Sequence, residues 1–313
     1  MSGKRRAFIT GLRGFTGRYV AEELRANGYE VFGLVRRETS VHRAEGYVCD
    51  INDRGKLTSL LAHLNPDYII HLAGVSFAAH GCASEIYQVN LLGTLSLLEA
   101  VAASRCQPRK VLLAGSAHVY GNQTLSPIQE SCVPTPVSDY AISKLALEHL
   151  ARLWFKRFPI MVTRPFNYTG VGQDPVFLPP KIVQHFARRA PEIELGNLDV
   201  ARDWSDVRDV AHIYRRLLEC PANSVLVNIC SGVSHSLQYV LETMTGISGH
   251  SPAVRVNPAF VRSNEVKELR GDESLLQSLL IGKVPRRSLR ETLAWMYQAE
   301  LGLIHSATVK NER

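Results

Sequence analysis

Phe8-Ile9-Thr10-Gly11-Leu12-Arg13-Gly14-Phe15-Thr16-Gly17 is the stretch whose reading decides the fold. An apolar run over residues 7–10 stops at a glycine, glycines recur at 11, 14 and 17, and a helical periodicity follows over 14–27. Glycines let the backbone turn sharply and come close to a ligand. The first N–H groups of the helix have no partner within it, so they and the helix dipole favour an anion. A strand, glycine turn and helix in this order predict a seat for the diphosphate of a dinucleotide, lined by Gly11, Arg13, Gly14, Phe15 and Gly17.

Working outward, short apolar runs at 30–35, 46–49, 68–72, 110–114 and 160–164 alternate with helical periodicities at 54–64, 85–104 and 138–158. Alternation of that kind builds βαβ units and a parallel sheet. The expected fold class is α/β: a Rossmann-type, doubly wound parallel sheet with a smaller C-terminal substrate lobe. Prolines at 175, 179, 180, 191, 221, 252, 258 and 285 punctuate shorter elements later on. The expected division is therefore a dinucleotide-binding domain over 1–165, a mainly substrate-binding lobe over 166–305 and a flexible tail over 306–313. Part of 205–232, including an apolar run at 226–229, is expected to return to the sheet.

The ends of the strands narrow the dinucleotide. An acidic residue after the second strand would accept from ribose hydroxyls and repel a 2′-phosphate, but here stand Arg36 and Arg37. Guanidinium pairs with phosphate through charge-assisted, often bidentate hydrogen bonds, so NADP(H) is favoured, with NAD(H) left open. Asp50 and Ile51 after the third strand would bracket the adenine. Leu72, Ala73 and Gly74 after the fourth would let the cofactor pass closely.

Tyr140 and Lys144 lie four residues apart and share a helical face. A phenol ordinarily titrates near 10, and an adjacent ammonium would lower that value toward neutrality. Ser116 follows the fifth strand, where its hydroxyl would meet the same substrate oxygen. The pattern predicts proton transfer coupled to hydride transfer, by Ser116, Tyr140 and Lys144.

With 45% apolar and 21% charged residues the composition is that of an ordinary globular chain, and no uninterrupted apolar run nears the roughly 20 residues of a membrane span. A net charge of +7 would suit nucleic acid, but the basic pairs are dispersed and lack interleaved aromatics, so a small phosphorylated ligand is the better expectation. Six scattered cysteines without paired spacing predict no metal site and a reducing compartment. The basic start, Met1 to Arg6, has no signal-peptide form, so a cytoplasmic location without membrane partner is expected.

Residues 10–17, Ser116 with Tyr120-Gly121, Tyr140-x-x-x-Lys144 and Arg164-Pro165-Phe166-Asn167 together resemble the extended short-chain dehydrogenase/reductases that act on nucleotide sugars, over nearly the whole chain. The resemblance implies a Ser-Tyr-Lys mechanism and a homodimer whose two helices, near 85–104 and 138–157, form a four-helix interface. The segment from Leu195 to Val207 is similar to one shared by the GDP-mannose dehydratases and the GDP-keto-sugar reductases. So is Arg262 with Glu265. That likeness implies that Arg202 and Arg262 meet the substrate diphosphate and that Glu265 accepts from the nucleoside, with Lys181 and Asn167 adding contacts to the diphosphate region.

Dehydratases of this family carry glutamate two positions before Tyr120, where this chain has His118. The resemblance thus implies the reductase branch, acting with NADPH on a GDP-linked 4-keto-6-deoxy sugar to give GDP-D-rhamnose or its C4 epimer. A 4-epimerase with retained NAD, a 4,6-dehydratase and a non-catalytic NADP-binding sensor or scaffold stay open as alternatives.

Overall fold

In the computed structural model, Ala7 and Ile9 of β1 (Arg6–Thr10) face one hydrophobic core and Phe8 faces another. A strand buried on both sides is the mark of a parallel sheet covered by helices. The structure describes residues 4–36, 45–76, 82–261, 265–282 and 284–311; Arg37 and Arg262 lie outside the described residues.

Around β1 the chain lays down α1 (Phe15–Ala26), β2 (Glu30–Val35), β3 (Gly46–Val48), α2 (Arg54–Leu64) and β4 (Tyr68–His71). There follow α3 (Ala83–Tyr87), a wide π turn over Gln88–Leu92, α4 (Gly93–Ser104), β5 (Lys110–Ala114), α5 (Asp139–Trp154) and β6 (Ile160–Pro165). β7 (Asn167–Thr169), α6 (Leu178–Ala187), β8 (Glu192–Leu195), β9 (Ala201–Asp206), α7 (Val207–Glu219) and β10 (Val225–Ile229) come next. β11 (Ser234–Ser236), α8 (Leu237–Ser248), β12 (Ala253–Val256), β13 (Glu268–Leu269), α9 (Ser274–Leu279) and α10 (Leu289–Asn311) complete the order.

Seven parallel strands pair in the order β10-β6-β5-β4-β1-β2-β3. The strand order reverses between β1 and β4, and a ligand crevice opens beyond the carboxyl ends of the strands at such a point. Val20, Leu24, Ile213, Tyr214 and Leu217 of α1 and α7 fill one face; Leu57, Leu61, Leu97, Leu98, Leu147 and Ala151 of α2, α4 and α5 fill the other.

The helix expected over 85–104 runs from Ala83 to Ser104 and is bent by the wide turn at Gln88–Leu92. An 18-residue window of this stretch has a mean hydropathy of 1.3, enough to cross a membrane by length and composition alone, although Glu85, Gln88, Asn90 and Glu99 interrupt it and no unbroken apolar run of that length stands there. Leu97, Leu98, Ala100 and Val101 are fully buried in the core beneath the sheet, which accounts for that apolarity.

Beyond β6 the chain forms a second cluster of elements. β9 is the centre of a small sheet, antiparallel to β11 and parallel to β13 and β7, while β8 pairs with β12. Ile182, Phe186, Trp204, Val240, Met244, Leu293 and Met296 make a separate core among α6, α8, α10 and β9. Asp203 anchors it by accepting from the backbone N–H groups of Ser231 and Gly232 at 2.8 Å, and Asp206 caps α7. β10 meanwhile pairs in parallel with β6 of the large sheet.

Candidate active site

The glycine turn is built so tightly that side chains have no room in it. Gly11 has φ +74°, and a Cβ there would lie 3.0 Å from the amide nitrogen of Ala73; one on Gly17 would lie 2.1 Å from the Gly11 carbonyl oxygen. Gly14 caps α1 without any side-chain hydrogen bond, which leaves the first N–H groups of the helix for a ligand. Phe15 stacks on Tyr168 at 6.1 Å and 9°, and Thr16 Oγ1 shares a 2.8 Å hydrogen bond with the Tyr168 hydroxyl. β7 thereby fixes the start of α1. The geometry is a cradle for a diphosphate.

Arg13 is exposed and reaches toward Gly46 on β3; Arg36, just after β2, is also exposed. Asp50 is exposed and accepts from Asn52 N at 2.8 Å. Ile51, expected beside the adenine, is 8% exposed, with a methyl set against the bare Cα of Gly93. Leu72 and Ala73 border Gly11, and Gly74 sits where a Cβ would be 3.5 Å from Lys144 Nζ. One continuous line of residues thus leads from the glycine turn to α5.

Ser138 caps α5, accepting from Ala141 N at 3.2 Å, and so sets the register of Tyr140 and Lys144 on its first two turns. Ser116 is buried at the end of β5, with Oγ accepting from His118 N at 3.2 Å and hydrogen-bonded to the Tyr140 phenol. Lys144 Nζ donates to the Ala114 carbonyl at 2.8 Å and lies 6.0 Å from the centre of the Tyr140 ring. The three side chains are brought together as the spacing predicts.

Their electrostatics correct one expectation. Burial, opposed only by the Ser116 hydrogen bond, pushes the Tyr140 phenol up to about 12, and burial pushes Lys144 down to about 8. Desolvation outweighs the pull of an ammonium whose nitrogen is turned to a backbone carbonyl. Tyr140 is consequently a protonated phenol, a proton donor, throughout the neutral range. His118 is exposed, its ring edge-on to Tyr140 at 6.0 Å.

In the second cluster, Arg202 and Glu265 form an ion pair with each other, and Arg202 Nη1 also donates to the carbonyls of Ala201 and Lys267 at 2.8 and 3.1 Å. Lys181 donates to the Glu194 carbonyl at 2.7 Å and lies over the Phe260 ring at 4.3 Å. Asn167 Oδ1 is buried without a hydrogen-bond partner among the described residues. Among those residues no three His, Cys, Asp or Glu side chains cluster as a metal ion would require.

Several supporting side chains gave no signal in the sequence. Asn90, mid-helix in an apolar run, is fully buried, accepting from Val75 N at 2.8 Å and donating to Ser143 Oγ at 3.0 Å. Glu148 and Arg164 form a buried bidentate pair at 2.8 and 2.6 Å that ties α5 to β6. Glu148 stands one helical turn after Lys144, which is the only hint its position offers.

The family model described as the NAD dependent epimerase/dehydratase family matches residues 7–230. GDP-6-deoxy-D-talose 4-dehydrogenase of Aggregatibacter actinomycetemcomitans is 33% identical over 296 residues, covering 94% of this chain and 97% of its own. GDP-6-deoxy-D-mannose reductase of Pseudomonas aeruginosa is also 33% identical, over 299 residues, covering 92% and 94%. Among solved structures, RMD from Pseudomonas aeruginosa complexed with NADPH superposes with a TM-score of 0.83 at 30% identity, over 96% of this chain and all of that one. A Burkholderia cenocepacia protein provisionally named an epimerase gives 0.89 at 45% identity, over 95% and 98%.

Proposed function

The chain belongs to the NAD dependent epimerase/dehydratase family, and we propose that it is an NADPH-dependent reductase of the C4 ketone of a GDP-linked 4-keto-6-deoxy sugar. The observation that carries the reading is the protonated, buried Tyr140 phenol joined to Ser116, beside Lys144 and the glycine cradle, in a chain similar along its length to two oxidoreductases of GDP-6-deoxy sugars. Those two relatives are equally similar, so the product is GDP-D-rhamnose or GDP-6-deoxy-D-talose according to which face of the ketone meets the nicotinamide.

NADP(H) fits the residues present. Gly11, Gly14 and Gly17 with the uncapped start of α1 hold its diphosphate; Arg13 and Arg36, joined by Arg37, meet its 2′-phosphate; Asp50 and Ile51 border its adenine; Leu72, Ala73 and Gly74 give it passage. When bound, it supplies the hydride. NAD(H) would occupy the same cradle without using the arginines.

Tyr140 donates its proton to the C4 oxygen as that oxygen gains charge, a contribution worth roughly 10²- to 10⁴-fold. Ser116, one of whose two lone pairs accepts from His118 N–H, would donate its O–H to the same oxygen. Lys144 spends one N–H on Ala114, which would leave the others for the cofactor ribose. In the second cluster Arg202, with Arg262, meets the substrate diphosphate by exchanging its pairing with Glu265, which then accepts from the GDP nucleoside. Lys181 and Asn167, whose Oδ1 awaits a donor, complete that side.

Exposed Leu92, Ile142 and Leu153 on the surfaces of the 83–104 helix and α5 support a homodimer through these helices. The free cysteines and the nature of the substrates support a cytoplasmic location. The reading is tested by mixing purified protein, NADPH and GDP-4-keto-6-deoxymannose, following absorbance and identifying the product by NMR. Consumption of NADPH with one C4 epimer formed is expected; turnover of a different nucleotide sugar instead would refute the substrate.

A further inference from the structure

A chain of buried hydrogen bonds runs from the glycine turn to the backbone of Tyr140, and His71 is its centre. His71, at the end of β4, is 1% exposed, with Nδ1 2.7 Å from Thr10 Oγ1 and Nε2 2.9 Å from Thr94 Oγ1. Thr94 has a single hydroxyl hydrogen, and it goes to the Asn90 carbonyl at 2.6 Å in the wide turn. The hydroxyl must therefore accept from His71, which places the ring proton on Nε2. Nδ1 is then a bare acceptor, Thr10 Oγ1 donates to it, and the Thr10 oxygen accepts from Ala73 N at 3.1 Å. Every member is satisfied in one direction only.

Both ends of this chain abut the site. Thr10 precedes Gly11, and Ala73 N is the atom a Gly11 Cβ would meet at 3.0 Å. Asn90 grips Val75 through both amide atoms, at 2.8 and 3.2 Å, and donates to Ser143 Oγ, which in turn donates to the Tyr140 carbonyl at 2.7 Å. We propose that His71 is a positioning residue for the reduction: locked as the neutral Nε2–H tautomer, it struts the carboxyl ends of β1 and β4 against the wide turn and so fixes Tyr140 relative to the cofactor cradle.

The assignment rests on the reductase reading for its kinetics but not for its structure. Desolvation and the nearby Lys144 hold the ring's proton affinity far down, to about 3, so His71 serves as a rigid bridge and exchanges no proton. Buried polar networks satisfied in this way specify one arrangement; a half-satisfied one does not.

The test has two arms. Long-range ¹H–¹⁵N spectra of histidine-labelled protein are expected to show His71 as the Nε2–H tautomer, unchanged from about pH 5 to about pH 9. An Nδ1–H tautomer, or a ring that titrates in that range, would overturn the proposal. In the second arm, Thr94→Val, which keeps shape but removes the hydroxyl, is expected to lower kcat roughly 10- to 100-fold, as ångström-scale misplacement does, with the keto-sugar KM nearly unchanged; Thr94→Ser should restore the rate. A Thr94→Val enzyme with wild-type kcat would also overturn it. Wild-type protein that fails to reduce the keto-sugar refutes the functional reading instead, and the tautomer arm then decides this one.

Discussion

Replacing Lys144 with methionine is expected to abolish activity and yet relieve the fold of a buried charge, and the size of that relief follows from the structure. Lys144 is 7% exposed, and burial lowers the proton affinity of its ammonium from 10.5 to about 8. At about 1.36 kcal/mol for each tenfold change, the buried charge destabilises the native state by roughly 3 kcal/mol at neutral pH. Methionine keeps most of the apolar stem, but it leaves the Ala114 carbonyl without its 2.8 Å donor, a loss of about 1 to 3 kcal/mol. The two effects nearly cancel at pH 7, so a single melting temperature says little.

The pH dependence separates them, because the carbonyl loss does not titrate. Below about pH 8 the lysine is charged in both folded and unfolded chains, and the full penalty stands. Between about 8 and 10.5 the folded chain has released the proton while the unfolded chain still holds it, so wild-type stability gains on the variant as pH rises. Above 10.5 the penalty is gone. His71, whose proton affinity the ammonium also lowers, titrates at about 3, well outside this window. Urea unfolding of both proteins at several pH values between 7 and 10.5 should show the stability difference shifting toward wild type by roughly 3 kcal/mol. A difference that stays flat across that range would refute the idea that Lys144 is carried as a buried cation.

Activity should decline on the alkaline side as Lys144 loses its charge near pH 8, while Tyr140, at about 12, stays protonated; kcat/KM against pH in wild type reads this directly. Tyr140→Phe is expected to lower kcat roughly 10²- to 10⁴-fold while NADPH binding, followed by fluorescence, is retained; a near-normal rate would disprove the proton-donor role. Gly17→Ala, which forces a Cβ to 2.1 Å from the Gly11 carbonyl, should weaken NADPH binding by at least ~100-fold, or about 3 kcal/mol. Arg164→Met strands the buried Glu148 carboxylate and should cost about 3 to 5 kcal/mol in urea melts, a loss that adding Glu148→Leu largely recovers.

What could be read in the sequence was whatever depends on local periodicity. The strand–turn–helix at residues 6–26 was legible because a buried strand, a glycine turn and an amphipathic helix each leave a pattern within a few residues. Tyr140 and Lys144 were legible for the same reason, since four-residue spacing is one helical turn. Asn90 and His71 were not, because their partners, Ser143 and Thr10, are 53 and 61 residues away in the chain. The wide turn at Gln88–Leu92 breaks the helical repeat without glycine or proline inside it, so no signal marked it. The direction of the Tyr140 shift was missed for a related reason. Spacing placed an ammonium nearby, but only the fold shows that Lys144 turns to Ala114 and that desolvation dominates.

The same division explains why the two ends of the site differ in character. The proton-handling end is held by groups buried and paired within the chain: Ser116 by His118 N–H, Lys144 by Ala114, α5 by the Glu148–Arg164 pair. Its geometry is preorganised, and a donor fixed in advance pays no reorganisation when charge develops on the substrate oxygen. The end proposed for the nucleotide sugar is different. Arg202 is already satisfied by Glu265 and two carbonyls, and Lys181 by Glu194. A diphosphate entering there must compete with existing partners, so part of its binding energy goes into breaking them. A keto-sugar without the diphosphate would leave the Arg202–Glu265 pair intact and bear no such cost, so on the proposed reading the preference for a nucleotide-linked substrate rests on the new diphosphate and nucleoside contacts exceeding the pairings given up.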